Sequence, residues 1–290
     1  MDIIHLIKFI RPHRLQKFVA RKYFKYCETT WRQRPLPDFI IIGAQKSGTS
    51  SLHGYLCQHP QLFSSPFKRE IHFFDSSVHK RETDNYEKGE SWYRAHFPSQ
   101  RELDVDSRIF EATPLYLFHP LVPERIFNLV PEIKLIALLR NPTERAISHY
   151  YMNMRKNVEP LPMLEAFQQE EARLKNVINE QDYRNELFFR ISYKSRGRYA
   201  EQLERYLKYF PLKQILLLGS DEFFNDPQAS LRRVFDFVGV DPGFKINDLT
   251  PRNVGKNKSD VPPAVREYLN EYFLYPNQAL YELTGINFSV

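Results

Sequence analysis

The sequence predicts an α/β protein with three layers, in which a mainly parallel central sheet is flanked by helices. Residues 39–42, 135–139 and 215–218 are continuously apolar, which is typical of parallel strands buried on both faces. Segments with helical spacing of apolar side chains alternate with these runs. The 290 residues are 42% hydrophobic, enough for one large domain with a sizeable core.

The remaining elements follow from the same patterns. Residues 108–111 are predicted to form a further short strand. Pro35 and Pro37 end any preceding helix, which divides the chain into a basic N-terminal helical extension (1–34) and one domain (35–290). Helices are predicted directly after the first strand and over the following ranges: 143–155, 165–179, 199–209, 231–238 and 265–273.

The positive charge is concentrated in the N-terminal extension. Residues 1–34 carry nine Lys and Arg and two acids, a net +7, whereas the whole chain is +6, so residues 35–290 sum to −1. A nearly neutral body argues against a nucleic-acid partner. The opening MDIIHLIKFI is shorter than the ~20 apolar residues of a spanning helix. Residues 1–34 are therefore expected either to dock on the domain or to lie peripherally on a membrane. With two cysteines and no signal-peptide pattern, a cytoplasmic location is expected.

A loop suited to anion binding follows the first strand. GAQKSGTS (residues 43–50) precedes a helix, so backbone amides and the helix N-terminus can form an anion site. Its glycine spacing matches the phosphate loop of nucleotide triphosphatases, which makes the predicted fold P-loop-like. However, Lys46 precedes the second glycine instead of following it, and no acid for a metal ends the strand at 135–139. A nucleotide-dependent kinase is therefore the weaker alternative, and a plain chain turn is the alternative without function.

A second anion site is predicted where the strand at 135–139 ends. Arg140 follows this strand directly, and ligands of open α/β sheets bind outside the carboxyl ends of strands. The planar guanidinium suits phosphate, and Ser148 on the next helix can add a hydroxyl donor. The alternative is an ion pair between Arg140 and Glu144. Two separate anion sites indicate a nucleotide with two separate phosphates.

Several ordered motifs resemble one enzyme family. GAQKSGTSSL, LFSSPFKREIHFFD, EATPLYL and LIALLRNPTERAISHYY, followed by YAEQLERYLKYFP, are similar to the heparan-sulfate-type sulfotransferases and their bacterial relatives. The resemblance runs from about residue 37 to the C-terminus. It implies an enzyme that moves a sulfuryl group from 3′-phosphoadenosine 5′-phosphosulfate (PAPS) to an acceptor hydroxyl, releasing adenosine 3′,5′-bisphosphate and requiring no metal.

The resemblance also implies roles for particular residues. Arg140 and Ser148 would hold the 3′-phosphate, and Gly255 and Lys256 would close a basic loop over the nucleotide. The 5′-phosphosulfate end would bind to the loop and helix start, which comprise Lys46, Ser47, Gly48, Thr49, Ser50 and Ser51. Lys46 would also assist departure of the phosphate. The remaining assignments are Glu70 as catalytic base, His72 as its catalytic neighbour, and Asp75 and Arg69 on the acceptor side.

The residues around Glu70 support part of this assignment. If residues 70–74 are extended, alternation places Glu70 and His72 on one face. A carboxylate beside an imidazole can then accept a hydroxyl proton. The alternative is a salt bridge from Glu70 to Lys68 or Arg69, with no catalytic role.

The chain departs from the heparan sulfate enzymes in two places. Ala112 stands where they carry a lysine, and their cysteine-paired insertion near the late basic loop is absent. Both differences leave the acceptor open: a polysaccharide, a glycolipid or a small metabolite. A noncatalytic nucleotide-binding protein at a membrane is the alternative outside the enzymes.

Overall fold

The computed structural model describes residues 13–75, 83–253 and 261–288. Within them, five parallel strands form one sheet in the order β2-β3-β1-β4-β5. The strands are β1 (Phe39–Gly43), β2 (Leu62–Ser64), β3 (Arg108–Ala112), β4 (Lys134–Leu139) and β5 (Ile215–Gly219). This confirms the predicted parallel α/β fold. The three-residue β2 was not predicted, because so short an edge strand leaves no pattern.

Helices cover both faces of the sheet. Several predicted helices are found near their predicted bounds, but the last one, predicted over 265–273, runs from Pro263 to Thr284, and four short helices were not predicted. The predicted helix over 165–179 is two helices, α6 and α7, and the helix after β4 begins at Pro142 rather than at 143. In chain order the described helices are α1 (His13–Thr29), α2 (Thr49–Leu56), α3 (Gly89–Arg94), α4 (Val122–Leu129), α5 (Pro142–Arg155), α6 (Met163–Gln168), α7 (Glu170–Asn179), α8 (Glu186–Ile191), α9 (Tyr199–Leu207), α10 (Ser220–Asn225), α11 (Pro227–Val238) and α12 (Pro263–Thr284).

The central strand β1 is buried on both faces, which explains its unbroken apolar sequence. Ile40 and Ile42 pack into one core beside Tyr199 of α9. Phe39 and Ile41 pack into the other core, and the Phe39 ring stacks on Phe110 with centroids 5.0 Å apart. Because successive side chains of a strand point to opposite faces, a continuous apolar run is required here.

Helix α1 packs on the domain with one face and exposes the other. The Phe24 ring lies 4.7 Å from the His96 ring and 5.2 Å from the Phe67 ring, and Cys27 is fully buried. Leu15 and Phe18 are about half exposed. Among the described residues, no helix has the length and apolar character needed to cross a membrane.

Candidate active site

A cleft of about 1230 Å³ opens where β1 and β4 end, at the carboxyl edge of the sheet. Most of the predicted site residues line it, namely Lys46, Ser47, Gly48, Thr49, Ser50, Arg69, Glu70, His72, Arg140 and Ser148. Gly255 and Lys256 lie outside the described residues. Parallel neighbouring strands bring their carboxyl ends together, so the distant segments of sequence converge on this one edge.

The loop after β1 is shaped by two residues with left-handed backbone. Lys46 has φ 74° and Gly48 has φ 103°, a conformation that favours glycine. A Cβ atom at position 48 would also lie 2.8 Å from the Phe224 ring. Gly48 caps α2, whose first amides have no partner within the helix, and the helix start lines the cleft. The loop therefore presents backbone donors and the positive end of a helix dipole.

Lys46 lies in a strongly cationic environment. Its pKa is lowered, first by partial burial and then by the positive charges of Arg155, Arg140 and Lys156. The described residues that line the cleft include nine Lys and Arg against three Asp and Glu. Such an excess of cations favours a polyanionic ligand.

Arg140 is anchored by its backbone and leaves its side chain over the phosphate loop. Its carbonyl accepts a hydrogen bond from the Tyr199 hydroxyl at 2.9 Å, and its Nη1 donates to the Lys46 carbonyl at 3.4 Å. The alternative partner Glu144 lies 3.8 Å away and bonds more closely to Arg266. Ser148 lines the same part of the cleft from α5.

Ser51 is not one of the residues that line the cleft, and it contacts a later segment of the chain. It is fully buried, and its Oγ accepts the Arg252 amide at 2.8 Å. Next to it, Asn253 Nδ2 donates to Ser50 Oγ at 3.0 Å. The chain just before residues 254–260 thus lies against α2, and both Arg252 and Asn253 line the cleft.

Glu70, His72 and Asp75 form a chain of charged contacts at the other side of the cleft. His72 Nδ1 lies 2.8 Å from Asp75 Oδ2, and His72 Nε2 lies 3.4 Å from Glu70 Oε2. Asp75 is fully buried behind the imidazole, whereas a third of the Glu70 side chain is exposed. Arg69 Nη2 donates to Glu70 Oε1 at 2.6 Å.

These contacts set the protonation of the pair. Burial lowers the pKa of His72, but the Asp75 and Glu70 carboxylates outweigh it and raise that pKa to about 10. Burial raises the pKa of Glu70, but hydrogen bonds from His72 and Arg69 lower it overall. At neutral pH, His72 therefore carries a proton and Glu70 does not.

The prediction that residues 70–74 are extended was wrong. The segment lies outside the sheet, and His72 has φ 56°, so the backbone turns at this residue. Glu70 and His72 nevertheless meet, because the turn brings the two side chains together. The salt bridge to Arg69, which was an alternative to a site role, coexists with a position in the cleft.

Several cationic cleft residues escaped sequence reasoning. Arg196 is buried; it bonds to the side-chain carbonyl of Gln45 and donates to the Phe189 carbonyl at 2.6 Å. Burial, and then the nearby Arg145, lower its pKa to about 9. Arg155 and Arg252 also line the cleft. The available signal for Arg196 is the basic stretch KSRGR, but such stretches are usually solvated and do not indicate a site.

Comparison with known proteins identifies the class. Residues 36–259 match the sulfotransferase domain family. The chain is 31% identical to heparan sulfate glucosamine 3-O-sulfotransferase 6 of Homo sapiens, over 88% of this chain and 74% of that protein. It is 27% identical to the membrane-associated sulfotransferase kil1 of Dictyostelium discoideum, over 87% of this chain and 66% of that protein.

A solved structure agrees with these matches. The crystal structure of a sulfotransferase from Alicyclobacillus acidocaldarius has a TM-score of 0.70 to this chain at 29% identity, covering 87% of this chain and 97% of that one. The chain belongs to the sulfotransferase domain family. The resemblance found in the sequence motifs and the P-loop-like fold are confirmed.

Proposed function

We propose that this domain transfers the sulfuryl group of PAPS to a hydroxyl of a saccharide, giving a sulfate ester and adenosine 3′,5′-bisphosphate. One observation carries the proposal: the loop at Lys46 and the side chain of Arg140, at the ends of adjacent strands, line one cleft together with a carboxylate–imidazole pair. The loop at Lys46 would hold the 5′-phosphosulfate end. Arg140 and Ser148 would hold the 3′-phosphate.

In the proposed reaction the acceptor oxygen bonds to sulfur while the bond between sulfur and the phosphate oxygen breaks. Glu70 accepts the acceptor's proton. We assign this role to Glu70 rather than to His72 because the flanking carboxylates raise the pKa of His72 to about 10. Lys46 and the loop amides stabilise the negative charge that gathers on the departing phosphate. None of the roles proposed for these residues depends on a bound metal ion.

The positive charge of the cleft limits the class of acceptor that it favours. Arg155, Lys156 and Arg190 line it in addition to the residues assigned to the nucleotide. The heparan sulfate enzymes carry a lysine where this chain has Ala112, and these side chains can supply the positive charge of that missing lysine. They favour an anionic saccharide over a neutral one, consistent with the named substrate of the Homo sapiens relative.

Ligand binding tests the nucleotide assignment. Adenosine 3′,5′-bisphosphate in EDTA is expected to stabilise the protein by about 2.7 kcal/mol at a hundredfold excess over Kd, as measured by thermal unfolding. Equal or greater stabilisation by Mg-ATP would support the kinase alternative instead. Radiolabelled PAPS, incubated with heparan sulfate and with a neutral polysaccharide, then tests transfer. Binding without transfer to any acceptor of a host extract would support the noncatalytic alternative.

The exposed face of α1 supports a membrane contact as a second part of the proposal. Lys17, Arg21 and Lys22 are exposed beside the half-exposed Phe18 and Tyr26, a pattern that suits an anionic lipid surface. The Dictyostelium relative is named as membrane-associated. The cytoplasmic location stays a prediction.

Point substitutions test this contact better than deletion of residues 1–34, because deletion would remove the buried Cys27. Replacing Lys17, Arg21 and Lys22 with alanine is expected to weaken binding to phosphatidylserine vesicles about a hundredfold, at about 1 kcal/mol for each cation. The matched control replaces the exposed Lys208, Lys213 and Lys245, which removes the same charge elsewhere. Equal losses in both variants would refute a contact through α1.

A further inference from the structure

Side chains rather than strand partners hold the segment around His72. The Ile71 amide donates to Thr113 Oγ1 at 3.1 Å, and the Phe73 amide donates to the Tyr116 hydroxyl at 2.9 Å. These two amides flank His72, whose own carbonyl accepts Asn85 Nδ2 at 2.8 Å. The peptide group that follows His72, a residue of positive φ, is thus held at both its amide and its carbonyl, and the peptide group before Ile71 is held at its amide.

One buried carboxylate orients both hydroxyls. Glu111, at the end of β3, has no exposed surface. Its Oε2 accepts Thr113 Oγ1 at 2.9 Å and the Tyr116 hydroxyl at 3.4 Å. A hydroxyl has a single proton to donate. When that proton points to the carboxylate, the oxygen lone pairs are left to accept the amides of Ile71 and Phe73.

We propose that Glu111 is a positioning residue for the catalytic segment. Glu111 accepts the hydroxyl protons of Thr113 and Tyr116. It thereby sets the direction of two hydrogen-bond chains, each of which runs from a backbone amide next to His72, through a hydroxyl, to the carboxylate. Those chains hold the turn in which His72 contacts both Glu70 and Asp75. The proposal rests on the proposed function only in calling that segment catalytic.

Fold stability alone does not account for this carboxylate. Among the described residues no Lys, Arg or His forms a salt bridge with Glu111, and burial raises its pKa to about 7 although the charge of His72 acts to lower it. A buried acid without a salt bridge is costly, and an apolar side chain of similar size would avoid that cost. The second oxygen, Oε1, accepts the Tyr93 hydroxyl at 2.6 Å. The Tyr93 ring stacks on Phe73 with centroids 4.4 Å apart, and Tyr93→Phe keeps that ring while removing the hydroxyl. Tyr93 therefore provides a matched control.

The test needs no acceptor. Glu111→Met keeps a similar volume but removes both acceptor oxygens, so the Thr113 and Tyr116 hydroxyls lose the carboxylate that orients their protons. With histidine labelled with nitrogen-15, and His72→Gln used to assign the signal among nine histidines, NMR gives the pKa of His72. We expect that pKa to fall by about one unit or more in Glu111→Met, as contact with the carboxylates is lost. Binding of adenosine 3′,5′-bisphosphate should stay unchanged.

The control and a second variant complete the test. Tyr93→Phe removes a hydrogen bond to the same carboxylate and should leave the pKa of His72 unchanged. Tyr116→Phe breaks one chain but keeps the Glu111 carboxyl group, whose charge also acts on His72 directly. This variant should lower the pKa of His72 too, and it serves if Glu111→Met does not fold. An unchanged pKa of His72 in Tyr116→Phe, or an equal fall in Tyr93→Phe, would overturn the proposal. Failure of sulfuryl transfer would overturn the proposed function and leave this NMR result standing.

Discussion

The two sides of the cleft are built in different ways. The side proposed to bind phosphate, called the phosphate side, is a contiguous loop in which Lys46 and Gly48 adopt left-handed backbone and the start of α2 supplies amides. The side that carries Glu70 and His72, called the catalytic side, depends on residues far away in the chain, because Thr113 and Tyr116 hold the amides of residues 71 and 73. The proposed anion binding therefore depends on local chain geometry, whereas the proposed proton transfer depends on tertiary hydrogen bonds.

The sides also differ in charge. The phosphate side is a cluster of cations that lowers the pKa of Lys46. The catalytic side alternates in sign, with His72 held between two carboxylates. Substitutions on one side should therefore leave the proposed function of the other side unchanged, and the following predictions test that separation.

The largest effect is expected at Glu70. Glu70→Gln keeps the side-chain volume but removes the proton acceptor, so transfer should fall by about 10²–10⁴-fold. Binding of adenosine 3′,5′-bisphosphate, measured by calorimetry, should be unchanged because the phosphate side is intact. His72→Ala is the companion variant. If it abolishes transfer while Glu70→Gln retains most of it, the two roles are reversed, and the separation between the sides still holds.

A pH-dependent effect is expected at Glu111. Its pKa in the folded protein is about 7, above the ordinary 4.5, so the folded state binds more protons between these values. The free energy of unfolding should therefore fall as pH rises from 4.5 to 7, by on the order of 3 kcal/mol from this group. Chemical denaturation of wild type and Glu111→Gln across this range checks it. Parallel pH profiles of the two proteins would contradict the prediction.

A smaller effect is expected at Arg140. Arg140→Ala should weaken binding of adenosine 3′,5′-bisphosphate about tenfold or more, since a hydrogen bond to a charged group contributes roughly 1.5–3 kcal/mol. Adenosine 5′-phosphosulfate lacks the 3′-phosphate and should bind almost as before. The pKa of His72 should also be unchanged. Equal weakening of both nucleotides would mean that Arg140 has a structural role only.

The contrast between the sides also explains which features could be predicted. The loop at 43–50 and Arg140 follow apolar strands, so position along the chain indicated their place in the cleft. The turn at His72 could not be predicted, because its cause is the hydroxyls of Thr113 and Tyr116, some 40 residues later. Arg196 escaped for a similar reason: a basic residue in a polar stretch gives no sign that it is buried.

The sequence by itself indicated four of the five described strands, the main helices between them and the loop at 43–50, because these depend on periodicity and backbone geometry within short segments. It also indicated Glu70 and His72, through the resemblance of their motif to a known family. Only the tertiary structure decided how these two side chains meet, which cations converge on the cleft and why Glu111 is buried beside them. The physical reason is that hydrogen-bond polarity and charge balance arise between segments that the chain brings together only when it folds.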